Sequence, residues 1–232
     1  MAEIVKTAGV LYIVSTPIGN LEDITLRALR VLKEADIIAA EDTRHTGLLL
    51  KHFDIKNRIV SYHDHNKERS GPRLIEKLLQ GENIAVVSDA GTPGISDPAF
   101  YLVRLAKENL ITVSPVPGPS ALISGLVVSG LPTDRFVFEG FLPVKKNRKT
   151  RLNNLAEEDR TIVLYESPYR LLKTLKDLKE ILGNRKVAVC RELTKKFEEI
   201  VSSTIDEAFE YFSSKSVRGE FVLIIQGNKI KK

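Results

Sequence analysis

Along the first half of the chain, short apolar runs alternate with amphipathic stretches. Each run ends on a polar, glycine- or proline-bearing segment. The runs VLYIVST (10–16), ADIIAA (35–40), RIVSY (58–62), NIAVVSD (83–89) and ITVSPV (111–116) predict strands. Helices are predicted between them over 23–35, 43–53, 73–81 and 97–109. In the first of these Leu26, Leu29, Val31 and Leu32 fall at helical spacing, and Gly81 can close the third. Strand–helix alternation predicts parallel βαβ units with right-handed crossovers. The near-continuous apolar strands agree, because a parallel sheet is covered on both faces.

The second half is less regular. A helix lined with small residues is expected over 118–130, strands over 135–141, 161–167 and 186–192, and an amphipathic helix over 168–183 with a glycine at its end. EEIVSST, a helix near IDEAFEYFSS and EFVLIIQG follow. Consecutive strand-like runs over 186–204 suggest antiparallel pairing, hence a mixed sheet. The Pro-rich stretch SPVPGPS (114–120) marks a domain boundary. The expectation is an α/β protein of two domains, a mainly parallel one over 1–117 and a mixed one over 118–232.

Every unusual segment of the first half follows a strand: STPIGNLED (15–23), EDTR (41–44), SYHDHN (61–66), SDAGTPGISDP (88–98) and PVPGPS (115–120). In open parallel sheets that edge is where ligands bind. Gly91 and Gly94 let backbone groups reach the surface, and Pro93 and Pro98 stiffen the loop that carries them. Asp97 stands where a helix N-cap would. No phosphate-cradling P-loop and no G-x-G-x-x-G fingerprint is present. Carboxylates, small hydroxyls and prolines suit a small ligand with hydroxyls, an amine and an apolar face: an adenosine bearing an amino acid, a sugar or an amino sugar.

Composition narrows the setting. The single cysteine, Cys190, excludes an internal disulfide and a structural zinc site, and no metal-ligand spacing is present. No run approaches a signal peptide or a membrane span, so a soluble cytoplasmic protein is expected. The net charge of +5 leans toward an anionic partner.

Taken together, STPIGNLEDITLRAL, AEDTR, SYHDHN, SDAGTPGISDP, PGPSA and LYESPYR, in that order over positions 10 to about 227, resemble the ribosomal RNA small subunit methyltransferase I group. This is the RNA-modifying branch of the tetrapyrrole methylases, which use S-adenosylmethionine. The resemblance implies two α/β domains with the cofactor in a cleft between them, a homodimer, and 2′-O-methylation of a cytidine in the decoding region of 16S rRNA. It implies cofactor contacts at Pro17, Gly91, Thr92, Ile95, Ser120, Ala121 and Tyr165. Asp89 supplies the carboxylate where Thr92 replaces the superfamily aspartate. STPIGN replaces a glycine-rich first loop, which fits the RNA branch and argues against a porphyrin. Longer relatives carry a further C-terminal helical segment beyond QGNKIKK, whose role in RNA binding is then absent or supplied elsewhere.

Methyl transfer needs the ribose oxygen aligned and its proton removed. Asp42, His63, Asp64, His65 and Glu166 stand at predicted strand ends, and Asp42, His63 and Glu166 are the catalytic candidates. The plainer readings are a loop hydrogen-bonder for His63 and an ion pair of Asp42 with Arg44. Arg44 or Arg170 could hold a phosphate, the other reading of Arg170 being a helix-start residue facing water. Lys145, Lys146, Arg148, Lys149 and Arg151 cluster at a helix start, where positive charge opposes the helix dipole. RNA phosphates explain them better than helix stability does, a solvated patch being the alternative. With 6% aromatic residues and no tryptophan, a shaped RNA such as the assembled small subunit is favoured over extensive stacking. The rival readings are a methyltransferase acting on a small molecule such as a tetrapyrrole, and a non-catalytic RNA or nucleotide binder.

Overall fold

Five strands form the first sheet. β1 (Val10–Val14), α1 (Leu26–Glu34), β2 (Ile37–Ala40), α2 (Thr43–His52), β3 (Ile59–Ser61), α3 (Lys67–Leu79), β4 (Ile84–Val87), α4 (Ala99–Glu108) and β5 (Thr112–Val116) follow one another. The sheet order is β3-β2-β4-β1-β5, with every pair parallel. The computed structural model describes residues 7–228. The chain divides into two compact units, one ending at Ser120 and the other starting at Ala121.

Period-two alternation splits each buried strand between two cores. Ile37 and Ala39 face α3 and α4, alongside Leu74, Leu78 and Leu102, whereas Ile38 and Ala40 face α1 and α2 with Leu32 and Leu50. Helices therefore cover both faces, as the continuous apolar strands predicted. Helix α3 begins six residues before the predicted start, because Pro72 lies inside it rather than at its first position. Gly71 permits this: a Cβ there would meet Leu105 and Tyr101 at 3.1 Å, so α3 lies close on α4.

In the second unit, α5 (Ala121–Val128), β6 (Phe136–Phe141), α6 (Arg148–Ala156), β7 (Thr161–Glu166), α7 (Leu171–Leu182), β8 (Lys186–Arg191), β9 (Glu199–Thr204), α8 (Ile205–Ser213) and β10 (Phe221–Ile225) succeed one another. The sheet order is β6-β7-β10-β8-β9, parallel for β6 and β7 and antiparallel elsewhere. This is the mixed sheet the sequence suggested, with β8 and β9 as the antiparallel neighbours. Helices α6, α7 and α8 bury Leu152, Leu175 and Phe212 against Ile162, Val189 and Leu223.

Helix α5 covers the other face. Its small residues have a use: a Cβ at Gly125 would stand 3.1 Å from Val222, so the helix rests almost on β10. A register shift between Phe138 and Gly140 moves both Phe138 and Phe141 onto Tyr165, at ring distances of 4.9 and 5.7 Å. Without that bulge the two phenylalanines, three positions apart, would point to opposite faces.

Candidate functional site

All five strands of the first sheet end at the same edge, so the segments singled out in the sequence are neighbours there. β1 and β4 are adjacent, and their following loops are tied by a two-way backbone bridge: Thr16 N–H donates to the Gly91 carbonyl at 2.9 Å and Gly91 N–H to Thr16 at 3.0 Å. Side chains extend it. The hydroxyls of Ser15 and Thr92 lie 3.0 Å apart, Thr92 donates to the Pro119 carbonyl at 3.2 Å, and Thr16 donates to the Ser88 carbonyl at 3.2 Å. Three loops are thereby locked into one polar lining.

Glycine is needed here for conformation and for space. Gly91 has φ +79°, where a side chain is strained, and a Cβ would touch Ile18 at 3.4 Å. Gly118 passes so close to Ser15 that a Cβ would stand 3.0 Å from the serine Cβ. The Asp97 carboxylate accepts Gly94 N–H and Ala99 N–H, each at 2.8 Å, and so ties the loop to the first residue of α4, whose N-cap is Pro98 and not Asp97. Pro17, in the loop after β1, is buried, while Asp89 and Ile95 are exposed.

The base candidates fare differently. Asp42 is the N-cap of α2, accepting Arg44 N–H at 2.8 Å, and pairs with the Arg44 guanidinium at 2.8 Å. Arg44 beside it holds the Asp42 carboxyl far below the ordinary carboxylate range. Asp42 is thus engaged as a helix cap and in the ion pair with Arg44 that was its plainer sequence reading. His63 is tied to its loop. Asn66 accepts the His63 backbone N–H at 2.9 Å, which aims its amide nitrogen at Nε2, 3.4 Å away, and leaves Nδ1 buried without a partner. Asp64 is paired with Lys67 at 2.8 Å, and His65 is exposed.

The sequence reading passed over Glu41. Burial and the carboxylates of Asp89, Asp97 and Asp64 raise its pKa, the backbone hydrogen bond from Asp89 working the other way. Its signal was present in the EDTR segment, but only the neighbours at the other strand ends make it unusual.

In the second unit, Glu166 is buried and fully engaged. It accepts Ser167 N–H at 2.8 Å and the Thr174 hydroxyl at 2.5 Å, and it pairs with Arg170 at 3.1 Å. This is a structural hub, not a base open to substrate. Arg170 sits at the start of α7, as one sequence reading had it, but turns inward to the Leu142 carbonyl at 2.6 Å instead of facing water.

Arg148 is also buried, donating to Asp177 and Thr174 at 2.8 Å and to the Pro143 carbonyl at 3.2 Å. It therefore cannot meet a phosphate, and that assignment is corrected. Arg151 pairs with Glu139 at 2.6 Å. Lys145, Lys146 and Lys149 are exposed around the start of α6. The Tyr165 hydroxyl accepts the Leu122 N–H at 3.1 Å, fixing the phenol at the head of α5. Cys190 is buried and its thiol is pushed up to about 12 by desolvation, so it is no nucleophile at neutral pH. Among the described residues no helix is long and apolar enough to cross a membrane.

The family model of tetrapyrrole (corrin/porphyrin) methylases matches residues 10–208. A ribosomal RNA small subunit methyltransferase I from Halalkalibacterium halodurans is 54% identical over 221 residues, covering 95% of this chain and 76% of that protein. The protein of the same name from Synechocystis is 55% identical over 221 residues, covering 94% and 79%. Among solved structures, uroporphyrin-III C-methyltransferase from Thermus thermophilus complexed with S-adenyl homocysteine matches with a TM-score of 0.64. It is 22% identical and covers 94% of this chain and 97% of that one.

Proposed function

Because the chain belongs to the tetrapyrrole methylase family, in its ribosomal RNA small subunit methyltransferase I group, we propose that it methylates the 2′-oxygen of a cytidine in the decoding region of 16S rRNA. The observation that carries this reading is identity above one half, over about 95% of the chain, with proteins named for small-subunit rRNA methylation. The assembled small subunit is the substrate form in this reading, the cytoplasm the place, and a homodimer the working enzyme.

S-adenosylmethionine is the cofactor, a sulfonium whose methyl carbon is open to attack by an oxygen lone pair. The residues of the first unit fit such a group. The Gly91 bridge and the Ser15–Thr92–Pro119 hydrogen bonds give a stiff polar wall, Asp89 a carboxylate for hydroxyls, and Ile95 an exposed apolar contact. Pro17 and Ser120 complete the proposed contacts there, and Ala121 and Tyr165 are those of the second unit. A preorganised wall loses little freedom on binding, so more of the interaction is left to hold the reactants in line.

The ribose proton goes to Glu41. Glu41 follows the end of β2, is partly buried and has its pKa raised by that burial and by Asp89, whereas Asp42 is occupied as the α2 cap and by Arg44. Lys145, Lys146 and Lys149 meet RNA phosphates, and Arg44, exposed beyond its pair with Asp42, is a further phosphate contact.

The test is methyl transfer from labelled S-adenosylmethionine to small subunits lacking the modification, followed by alkaline hydrolysis of the RNA. Alkaline cleavage needs a free 2′-hydroxyl, so label in an uncut dinucleotide is the expected result. Label in single nucleotides refutes the 2′-oxygen. No label in RNA, together with transfer to a tetrapyrrole, refutes the RNA substrate.

A further inference from the structure

Three strands of the second sheet end at one edge. β6 and β7 are parallel, and β8 runs with them because β10 is antiparallel to both β7 and β8. The register pairs Phe141 with Tyr165, Glu166 with Phe221, Phe221 with Arg191, and Arg191 with Glu199. The segments after β6, β7 and β8 therefore leave the sheet side by side. With strands about 4.8 Å apart, those after β6 and β8 stand roughly 14 Å from each other.

Each of these three places carries an aromatic ring with little part in a core. Phe141 is 54% exposed, Tyr169 97% and Phe197 64%. Rings left in water add nothing to folding by burial, and three along one edge call for another use.

The charges at this edge sort into two groups. Glu192 and Glu220 are paired with Lys195, Glu199 with Arg191 and Lys215, and Glu198 accepts the Thr194 N–H at 2.6 Å. Arg170 is turned inward. Lys145, Lys146, Lys149, Lys196 and Arg218 have no ion-pair partner among the described residues, and Lys196 lies 5.7 Å from the centre of the Phe197 ring. The surplus is positive and is interleaved with rings.

We propose that this edge binds an unpaired stretch of RNA, with Tyr169 and Phe197 as stacking platforms and Lys145, Lys146 and Lys196 on its phosphates. Stacking accepts any base, and its partners must be unpaired, because the faces of paired bases in a duplex are already covered. Tyr165, a proposed cofactor contact, packs on Phe141 at the same edge, so the stacking edge and that contact belong to the same unit. The low aromatic content had argued against stacking, but the placement of three rings outweighs their number. The inference rests on the RNA reading above and adds how the flanking strand is held.

The test measures binding of the full chain to a short single-stranded oligoribonucleotide and to a hairpin of the same length, across salt concentrations. Y169A and F197A are each expected to weaken single-strand binding roughly 5- to 150-fold, with the salt slope unchanged. Y169F retains binding. K145A and K196A reduce the slope of log K against log salt by about 0.7 each. Because both rings are exposed, unchanged thermal midpoints in the ring variants confirm that the fold is intact.

The proposal is overturned if the double variant Y169A/F197A keeps the parent affinity, or if the hairpin binds as tightly as the single strand. It is equally overturned if the double variant alters self-association in sedimentation and not RNA binding, which assigns the edge to a protein partner. Failure of the RNA reading itself appears separately, as absence of label in RNA from the unmodified protein.

Discussion

Replacing Glu166 by glutamine tests whether this residue is a structural hub or a catalytic base. The change keeps size and removes a charge that is 1% exposed in its side chain and faces the Arg170 guanidinium at 3.1 Å. Breaking a buried pair by removing one partner costs about 3–5 kcal/mol, since the remaining ion keeps its desolvation penalty. Arg170 is 24% exposed and donates also to the Leu142 carbonyl, which relieves part of that cost. The Thr174 hydroxyl, which donates to Glu166 at 2.5 Å and accepts from Arg148, loses a charged acceptor, a change of about 1 kcal/mol in the other direction. The net expectation is about 3 kcal/mol, or roughly 6–12 °C in thermal midpoint for a chain of this length. Urea unfolding followed by circular dichroism measures it. Adding Arg170→Met should recover part of the loss, because the orphaned cation is removed as well. A Glu166→Gln protein that is within 1 kcal/mol of the parent and has lost methyl transfer would refute the structural assignment and return Glu166 to the chemistry.

Gly91→Ala should cost about 1–2 kcal/mol through its left-handed backbone alone, because the added methyl meets Ile18 only at ordinary contact distance. The rise in thermal midpoint produced by saturating S-adenosylmethionine should shrink in this variant, and an unchanged rise would take the loop out of the cofactor site. Reversing Lys145, Lys146 and Lys149 to glutamate should weaken RNA binding and flatten its salt dependence while leaving the cofactor's stabilisation intact; equal loss of both would make the segment structural. Glu41→Gln should lower methyl transfer by roughly 10²–10⁴ with cofactor binding retained. Its stability has a sign that identifies the group. The folded-state pKa of Glu41 is raised, so its ionised form is penalised in the native state as pH rises through that value. Glu41→Gln should therefore raise the midpoint at pH 7, and the gain should vanish below the unfolded carboxylate pKa of about 4.

The layer order of the fold was legible because buried parallel strands have a signature in plain sequence: IIAA and IAVV are buried along their whole length in β2 and β4. What the pattern could not supply was α3 as far back as Lys67. Pro72 reads locally as a helix start, and only contact with Tyr101 and Leu105 across Gly71 shows that the helix continues through it. The bulge before Gly140 was equally invisible, since FVFEGF alternates plausibly in either register.

The residues of the site divide by the same logic. A loop's glycines and prolines act where they stand, so SDAGTPGISDP could be read as a ligand wall, and the wall is made by local turns and a bridge to Thr16. A charge acts through its neighbours, and these come from elsewhere in the chain. KKNRKTR offers five cations in sequence, yet Arg148 is sealed against Asp177 and Thr174, from α7, while the lysines on either side remain in water. Glu41 looked unremarkable beside Asp42, but Arg44 lowers the proton affinity of one, and burial with the carboxylates of Asp89, Asp97 and Asp64 raises that of the other. Adjacent carboxylates thus acquire opposite chemistry from partners 2 to 56 residues away. A count of charges in a segment sets an upper bound on what can meet a ligand, and burial decides how many do.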